Sequence, residues 1–376
     1  MRPTYAEINL SKLKSNFLNI RKKVKKSKIM AVVKANAYGH GVKETVKALD
    51  SLGEKQPEYY AVALSDEAVE LRKLKIKQPI LVFEPVTKSE IEDVYNFNII
   101  PTVFNDSHLR LLLRGWNKSP SRKLNSKIKV HVKVDTGMNR LGVKYYDAVS
   151  FIERLSKSKI FSIDGIYTHF ATSDEKDKTF AKLQLDRFNK ILTDLKKKGI
   201  YYGLAHAANS GAILDMPDSY FDMVRPGISL YGYYPSLETS ESIPLKPVMS
   251  IYSYVASIKE LEKGETVSYG MLYTAKKKTR IISVPIGYAD GYNRNLTNHA
   301  SAIIKGKKYK QVGRVTMDRI MFEIGSDEIM LNDQVILLGK EKNIEITAWD
   351  WGKILNTIPY EITCNISERV PRVYKD

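Results

Sequence analysis

At 376 residues the chain exceeds one ordinary domain, and an apolar share of 43% is enough for a sizeable core. No apolar run is long enough to cross a bilayer, the N-terminus carries no apolar stretch of signal-peptide length, and the single Cys364 excludes an internal disulfide framework. A cytoplasmic protein with no membrane partner is expected, with Cys364 as a core thiol. Sixty basic against forty-two acidic residues give +18, but the lysines fall in short runs such as Lys196 to Lys198 and Lys276 to Lys278, without interleaved aromatics. That distribution reads as a solvated surface, not a nucleic-acid site.

In chain order, short apolar runs alternate with amphipathic segments. Candidate strands are Ile29–Val33, Tyr60–Leu64, Ile80–Phe83, Ile100–Val103, Ile128–Val134, Ile163–Thr168, Gly203–His206 and Asp222–Val224. Between them lie helical patterns such as Glu67–Leu74, Ser89–Phe97, Asp147–Leu155 and Lys178–Lys198. Eight strand-helix units predict a parallel (β/α)8 barrel of the TIM type, in the α/β class. A doubly wound open sheet would also alternate, but no Gly-x-Gly-x-x-Gly follows the first strand. After Tyr234-Pro235 the long helical patterns stop. β-branched runs follow at Val248–Ile258, Arg280–Ile286, Ala302–Ile304, Ile320–Ile324 and Val335–Leu338, separated by glycines and interrupted by a helical stretch at Thr347–Leu355. Residues 1–235 are therefore expected to form the barrel, and residues 236–376 a mostly antiparallel β domain.

In a parallel barrel the carboxyl ends of the strands carry the chemistry. The first buried run ends on Lys34, followed by a small-residue turn through Gly39 and Gly41. A lysine there can serve as a base or a Schiff-base former; the alternative is a solvated lysine just past a core strand. In the fifth run, alternation puts His131, Lys133 and Asp135 on one face. That is either a functional cluster or an internal ion pair of Lys133 with Asp135 or another carboxylate. His169 ends the sixth run, where it either stacks on a ring or is a satisfied core histidine. After the seventh, His206 precedes Asn209-Ser210, which either opens a helix toward an anion or merely caps it. After the eighth comes Arg225-Pro226-Gly227-Ile228. Phosphate sites in such barrels often use the last two loops, so Ser210, Gly227 and Ile228 form a candidate phosphate cup. No metal site is expected.

Taken together, these segments resemble one family, the alanine racemases, pyridoxal-phosphate enzymes of fold type III. The likeness rests on Val33 to Gly41, Lys133 to Gly142, Tyr167-Thr168-His169-Phe170, Arg225 to Ile228, Ile286 to Gly291 and Arg369-Val370-Pro371-Arg372, in family order across nearly the whole chain. The resemblance implies that Lys34 holds pyridoxal 5'-phosphate as a Schiff base. Tyr38, Ser210, Gly227, Ile228 and Tyr360 would hold its phosphate, Arg225 would face its ring nitrogen, and His169 would lie against the ring. Arg140 would meet the ring's phenolic oxygen and the substrate carboxylate, oriented by a carbamylated Lys133. Tyr269, supported by His206, would reach the active site of the other subunit in a homodimer. Met317 would offer its amide to the substrate carboxylate, with Tyr288 at the entrance and Asp318 in support. Asn139 stands where the family often has glycine, and Thr316 where it often has cysteine; neither departure removes a reacting group, and both are expected to bear on the pocket wall and so on substrate strictness.

Racemisation needs two bases on opposite faces of one flat carbon, and Lys34 and Tyr269 meet that need. The resemblance implies interconversion of L- and D-alanine, with D-alanine supplied to peptidoglycan. The alternatives are a serine or broader amino-acid racemase of the same family, a fold-type-III decarboxylase, or a non-catalytic pyridoxal-phosphate carrier. A decarboxylase-type cysteine loop is missing from the sequence, and a carrier would not need the second domain.

Overall fold

A computed structural model describes residues 4–118 and 127–376. The chain separates into two compact units, one of residues 14–37 and 42–245, the other of residues 1–13, 38–41 and 246–376. Residues 4–13, expected in the barrel, therefore group with the β-rich part.

The first unit is a closed barrel. Its strands are β1 (Lys28–Val32), β2 (Tyr59–Val62), β3 (Ile80–Val82), β4 (Ile100–Val103), β5 (Ile128–Asp135), β6 (Phe161–Tyr167), β7 (Leu204–His206) and β8 (Met223–Val224). Each pairs in parallel with the next, and β8 returns to β1, so no edge is left open. All eight expected strands are present, with ends moved by at most two residues. Both faces are covered, which is why β2 and β3 are continuous apolar runs, β4 has Thr102 as its one polar residue, and all three are fully buried. The helix Thr179–Lys197 shows how the outer layer is held. Ala181, Leu185, Phe188, Ile191, Leu192 and Leu195 recur at helical spacing and are all buried. Each large side chain of this kind contributes about 1.5–3 kcal/mol by leaving water.

One irregularity bears on function. Val130 on β5 lies opposite Ile163 on β6, yet the next residue, His131, lies opposite Gly165. Asp164 is the extra residue of a bulge, a device that re-aims a side chain.

In the second unit the N-terminal strand Tyr5–Asn9 lies between Met249–Tyr254, antiparallel, and Arg372–Lys375, parallel. Gln334–Glu341, Ser301–Ile304 and Lys307–Lys310 extend that sheet. Ser257–Leu261, Thr279–Val284 and Ile320–Glu323 form a second, antiparallel sheet. The expected single run Val248–Ile258 is thus two strands in different sheets. The chain changes sheet at Val255-Ala256, where Val255 bonds to Asp333 and Ala256 to Ser283. The helix Ala348–Leu355 starts where Thr347 caps it, its hydroxyl accepting from the amide of Asp350. Cys364, expected in the core, is exposed. It ends the helix Pro359–Cys364, whose buried face is Pro359, Ile362 and Thr363.

Candidate active site

The barrel strands deliver cations to one mouth. Lys34 stands two residues beyond the end of β1, after Val33, and is half-buried. After it the backbone makes a left-handed turn, with φ of 52°, 50° and 54° at Ala35, Asn36 and Ala37. Left-handed turns of L-residues cost about 1–2 kcal/mol per residue, so this one must be held. The Ala37 amide bonds to Val33 O at 2.9 Å, and the Asn36 side chain accepts from the Val42 amide at 2.7 Å. Glu67 accepts from the amide of Ala35.

Lys133, near the end of β5, is buried, with its ammonium 5.6 Å from the centre of the Tyr167 ring. Burial first, then Arg140 and Arg225, pull its amine down to about 8. Glu84 is the carboxylate that opposes this trend, while Lys34 adds to it. Lys133 does not pair with Asp135. That carboxylate accepts from the amides of Gly137 and Asn139, each at 3.0 Å, and from Lys144 at 2.8 Å. The turn before Arg140 requires φ of 57° at Asn139, a left-handed conformation that asparagine tolerates and glycine adopts freely.

His169 follows β6. Some of its surface remains accessible, yet its ring lies within the structure, and burial, then Arg225, Arg140, Lys133 and Lys34, drive it well below the usual histidine range. It is therefore neutral. Its carbonyl accepts from Gln184, a fully buried polar residue on the otherwise apolar face of Thr179–Lys197. That contact explains a glutamine where the helical pattern calls for an apolar residue.

Arg225, buried after β8, donates to the carbonyls of Thr168 at 2.7 Å and Ala207 at 2.9 Å, and to His206 Nδ1 at 2.8 Å. Burial lowers its guanidinium to about 10, which leaves it charged at neutral pH. The Tyr167 ring lies beneath it, 5.3 Å from the guanidinium carbon, and stacks on His206 at 4.9 Å. Ser210 Oγ accepts from the Gly227 amide at 2.9 Å and lies 3.0 Å from Ser229 Oγ. The structure thus brings Ser210, Gly227 and Ile228 together, and Asn209 caps the helix behind them by accepting from Ala212.

In the second unit Tyr269 and Met317 are mostly exposed and Tyr288 partly so. They line one cavity of about 800 Å³, together with Arg314, Thr316 and Asp318. The Tyr269 turn is pinned by Ser268 Oγ bonding to Arg314 O at 2.9 Å. The Met317 loop is laced to the Tyr288 turn, with the Tyr288 amide on Thr316 O at 3.0 Å and the Ala289 amide on Met317 O at 3.1 Å. A side chain on Gly287 would meet both carbonyls at 2.3 Å, so only glycine fits there. The Thr316 hydroxyl is engaged by the Arg319 backbone. Asp318 pairs with Arg369 at 2.6 Å, and Arg369 also reaches the buried Asp290 at 3.3 Å. The rings of Tyr38 and Tyr360 lie 5.9 Å apart. Sequence reasoning missed the Asp164 contact with His131; its signal is a lone acid and a glycine inside an otherwise apolar strand.

A closed parallel barrel with a lysine, a neutral histidine and buried cations at its strand ends defines a barrel enzyme built around an anionic ligand. Two family models match: alanine racemase, N-terminal domain, over residues 8–235, and alanine racemase, C-terminal domain, over residues 248–374. The chain is 42% identical over 376 residues to the alanine racemase of Carboxydothermus hydrogenoformans, covering all of both chains. The alanine racemase of Clostridium difficile superposes with a TM-score of 0.91 at 38% identity, over 100% of this chain and 96% of that one. That of Bacillus anthracis, solved with bound L-Ala-P, gives 0.91 at 35%, over 100% and 96%. The chain belongs to the alanine racemase family of isomerases. No helix among the described residues is long and apolar enough to cross a membrane.

Proposed function

We propose that the chain uses pyridoxal 5'-phosphate to interconvert L-alanine and D-alanine, as a cytoplasmic homodimer with shared active sites whose product supplies peptidoglycan. The barrel unit, expected as residues 1–235, would be the cofactor domain, and the β-rich unit, expected as residues 236–376, would complete the site of the second copy. The observation that carries the reading is charge: Lys34, Lys133, Arg140 and Arg225 act on one another at the barrel mouth, with Glu84 as the opposing carboxylate. A phosphate dianion and a substrate carboxylate fit that excess. Arg225, a donor that stays charged, also suits a ring nitrogen that is to remain unprotonated.

Lys34 would hold the cofactor covalently. Ser210, Gly227 and Ile228 would hold its phosphate, joined by Tyr38 and Tyr360, and His169 would lie on its ring. The cofactor, when bound, withdraws electrons from the substrate's α-carbon and so acidifies its C–H bond. Arg140 would clamp the carboxylate, helped by the Met317 amide, with Lys133 orienting Arg140, Tyr288 at the entrance, and Asp318 supporting the loop. Lys34 on one face and Tyr269 of the second copy on the other would each take or return the α-proton. Lys34→Ala should lose both retention of the cofactor through dialysis and conversion of L-alanine to D-alanine. Full activity in that variant would refute the assignment. Assaying L-serine beside L-alanine separates an alanine enzyme from a broader racemase.

A further inference from the structure

We propose that Asp164 and His131 are positioning residues that act through His206 to hold Arg225 in its working orientation. The inference rests on the reading that Arg225 faces the cofactor's ring nitrogen. Four side chains form an unbroken line. Arg225 lies 2.8 Å from His206 Nδ1, His206 Nε2 lies 3.0 Å from His131 Nδ1, and His131 Nε2 lies 3.4 Å from Asp164 Oδ2. Both histidines are fully buried, and burial, the largest influence on each, lowers them below the usual range. Each ring therefore carries one proton.

Donor rules then leave a single arrangement. A guanidinium only donates, so Nδ1 of His206 must be bare and its Nε2 protonated. That proton points at His131 Nδ1, which must also be bare. His131 Nε2–H in turn donates to the Asp164 carboxylate, which only accepts. The line runs from a cation to an anion with every proton pointing the same way, and hydrogen bonds so aligned polarise one another. Reversing either imidazole would set two donors or two acceptors face to face.

The fold is built around this line. The β6 bulge makes Asp164 the extra residue beside His131. A side chain on Gly165 would come within 2.6 Å of the His131 ring, so glycine makes room for it. Tyr167 stacks on His206 at an interplanar angle of 11°. At the far end Tyr59 donates to Asp164 at 3.0 Å and Lys129 pairs with it at 3.1 Å. Burial alone would raise Asp164, but His131 and Lys129 outweigh it and hold the carboxyl well below the usual range. The anchor therefore stays ionised. Arg225 Nη2 bonds to two carbonyls and lies 3.4 Å from His169 Nδ1, and Nη1 meets His206, so His206 holds the second nitrogen of the guanidinium.

Histidine-15N spectra of the holoenzyme test this, with the chain's six histidines assigned by single substitution. The wild type should show bare Nδ1 and protonated Nε2 at both His131 and His206. Oδ2 of Asp164 accepts from both Tyr59 and His131 while Oδ1 pairs with Lys129; Asp164→Asn removes the negative charge that ends the line, and the tautomer populations of both rings should change. Turnover of L-alanine should fall about tenfold, with KM moving less than about twofold. Asp164→Glu should restore the wild-type tautomers and most of the rate. A wild-type His206 protonated at Nδ1 overturns the proposal without any variant. So do Asp164→Asn spectra identical to the wild type, or changed tautomers with unchanged turnover. Arg225→Lys distinguishes the two failures: if it too leaves turnover intact, the reading of Arg225 is wrong; if it slows turnover while Asp164→Asn does not, only the relay is.

Discussion

Replacing Gly165 by alanine adds one methyl group where the barrel has no room. The new carbon would lie 2.6 Å from Cε1 of His131 and 2.9 Å from each ring nitrogen. Ordinary contact requires the ring to retreat by roughly 1 Å, since carbon atoms pack at about 3.5–4.0 Å. The ring cannot do so freely, because it is fully buried and bonded to His206 on one side and Asp164 on the other. A retreat of that size would stretch the 3.0 Å contact with His206 beyond hydrogen-bonding range. Either the strain remains, at about 1–3 kcal/mol, or two hydrogen bonds are lost at about 1 kcal/mol each. Both routes centre on about 2 kcal/mol, which lowers the melting temperature of a unit this size by about 4–8 °C. The assay is thermal unfolding followed by circular dichroism, in the wild type and in a His131→Ala background. Without the ring the methyl should cost less than about 0.5 kcal/mol. An equal cost in the two backgrounds, or no cost in the wild type, would refute the claim that His131 occupies the space Gly165 leaves open.

Two further outcomes follow from the proposed function. If Lys34 and Tyr269 serve one site from different copies, inactive Lys34→Ala and Tyr269→Ala chains mixed under conditions of proven exchange should regain roughly a quarter of wild-type activity, because about half of the dimers would be hybrids with one intact site; exchange without recovery would show that both bases belong to one copy. The Lys133 amine, lowered to about 8, is increasingly neutral as pH rises through that value, and only the neutral amine adds to carbon dioxide, forming a carbamate and releasing a proton; a carbamate signal from 13C-labelled carbon dioxide should therefore grow from pH 7 to 9 and be missing in Lys133→Gln, and a signal equal in both proteins would place the modification elsewhere.

The barrel strands were legible in the sequence because a parallel strand covered on both faces is rich in apolar residues, continuous in β2 and β3 and at alternate positions in β5, and that pattern needs no knowledge of neighbours. The residues at the strand ends were legible as motifs for the same local reason: Lys34, His169 and Arg225 each stand where a buried run stops. Local pattern could not say what those side chains meet. Lys133 and Asp135 share one face of β5, yet the carboxylate bonds to Lys144 and to the turn amides of Gly137 and Asn139, because the chain folds back there. Tyr5–Asn9 and Arg372–Lys375 lie at opposite ends of the chain and become neighbours only in the sheet. Cys364 has core-like neighbours in sequence and still faces outward, since a helix buries one side and the residues beside it take that side. The line from Asp164 to Arg225 depends most on the fold. It joins residues of β5, β6 and β7 with one that follows β8, and its proton order is set by the two charged ends together, so it exists only once the barrel has closed.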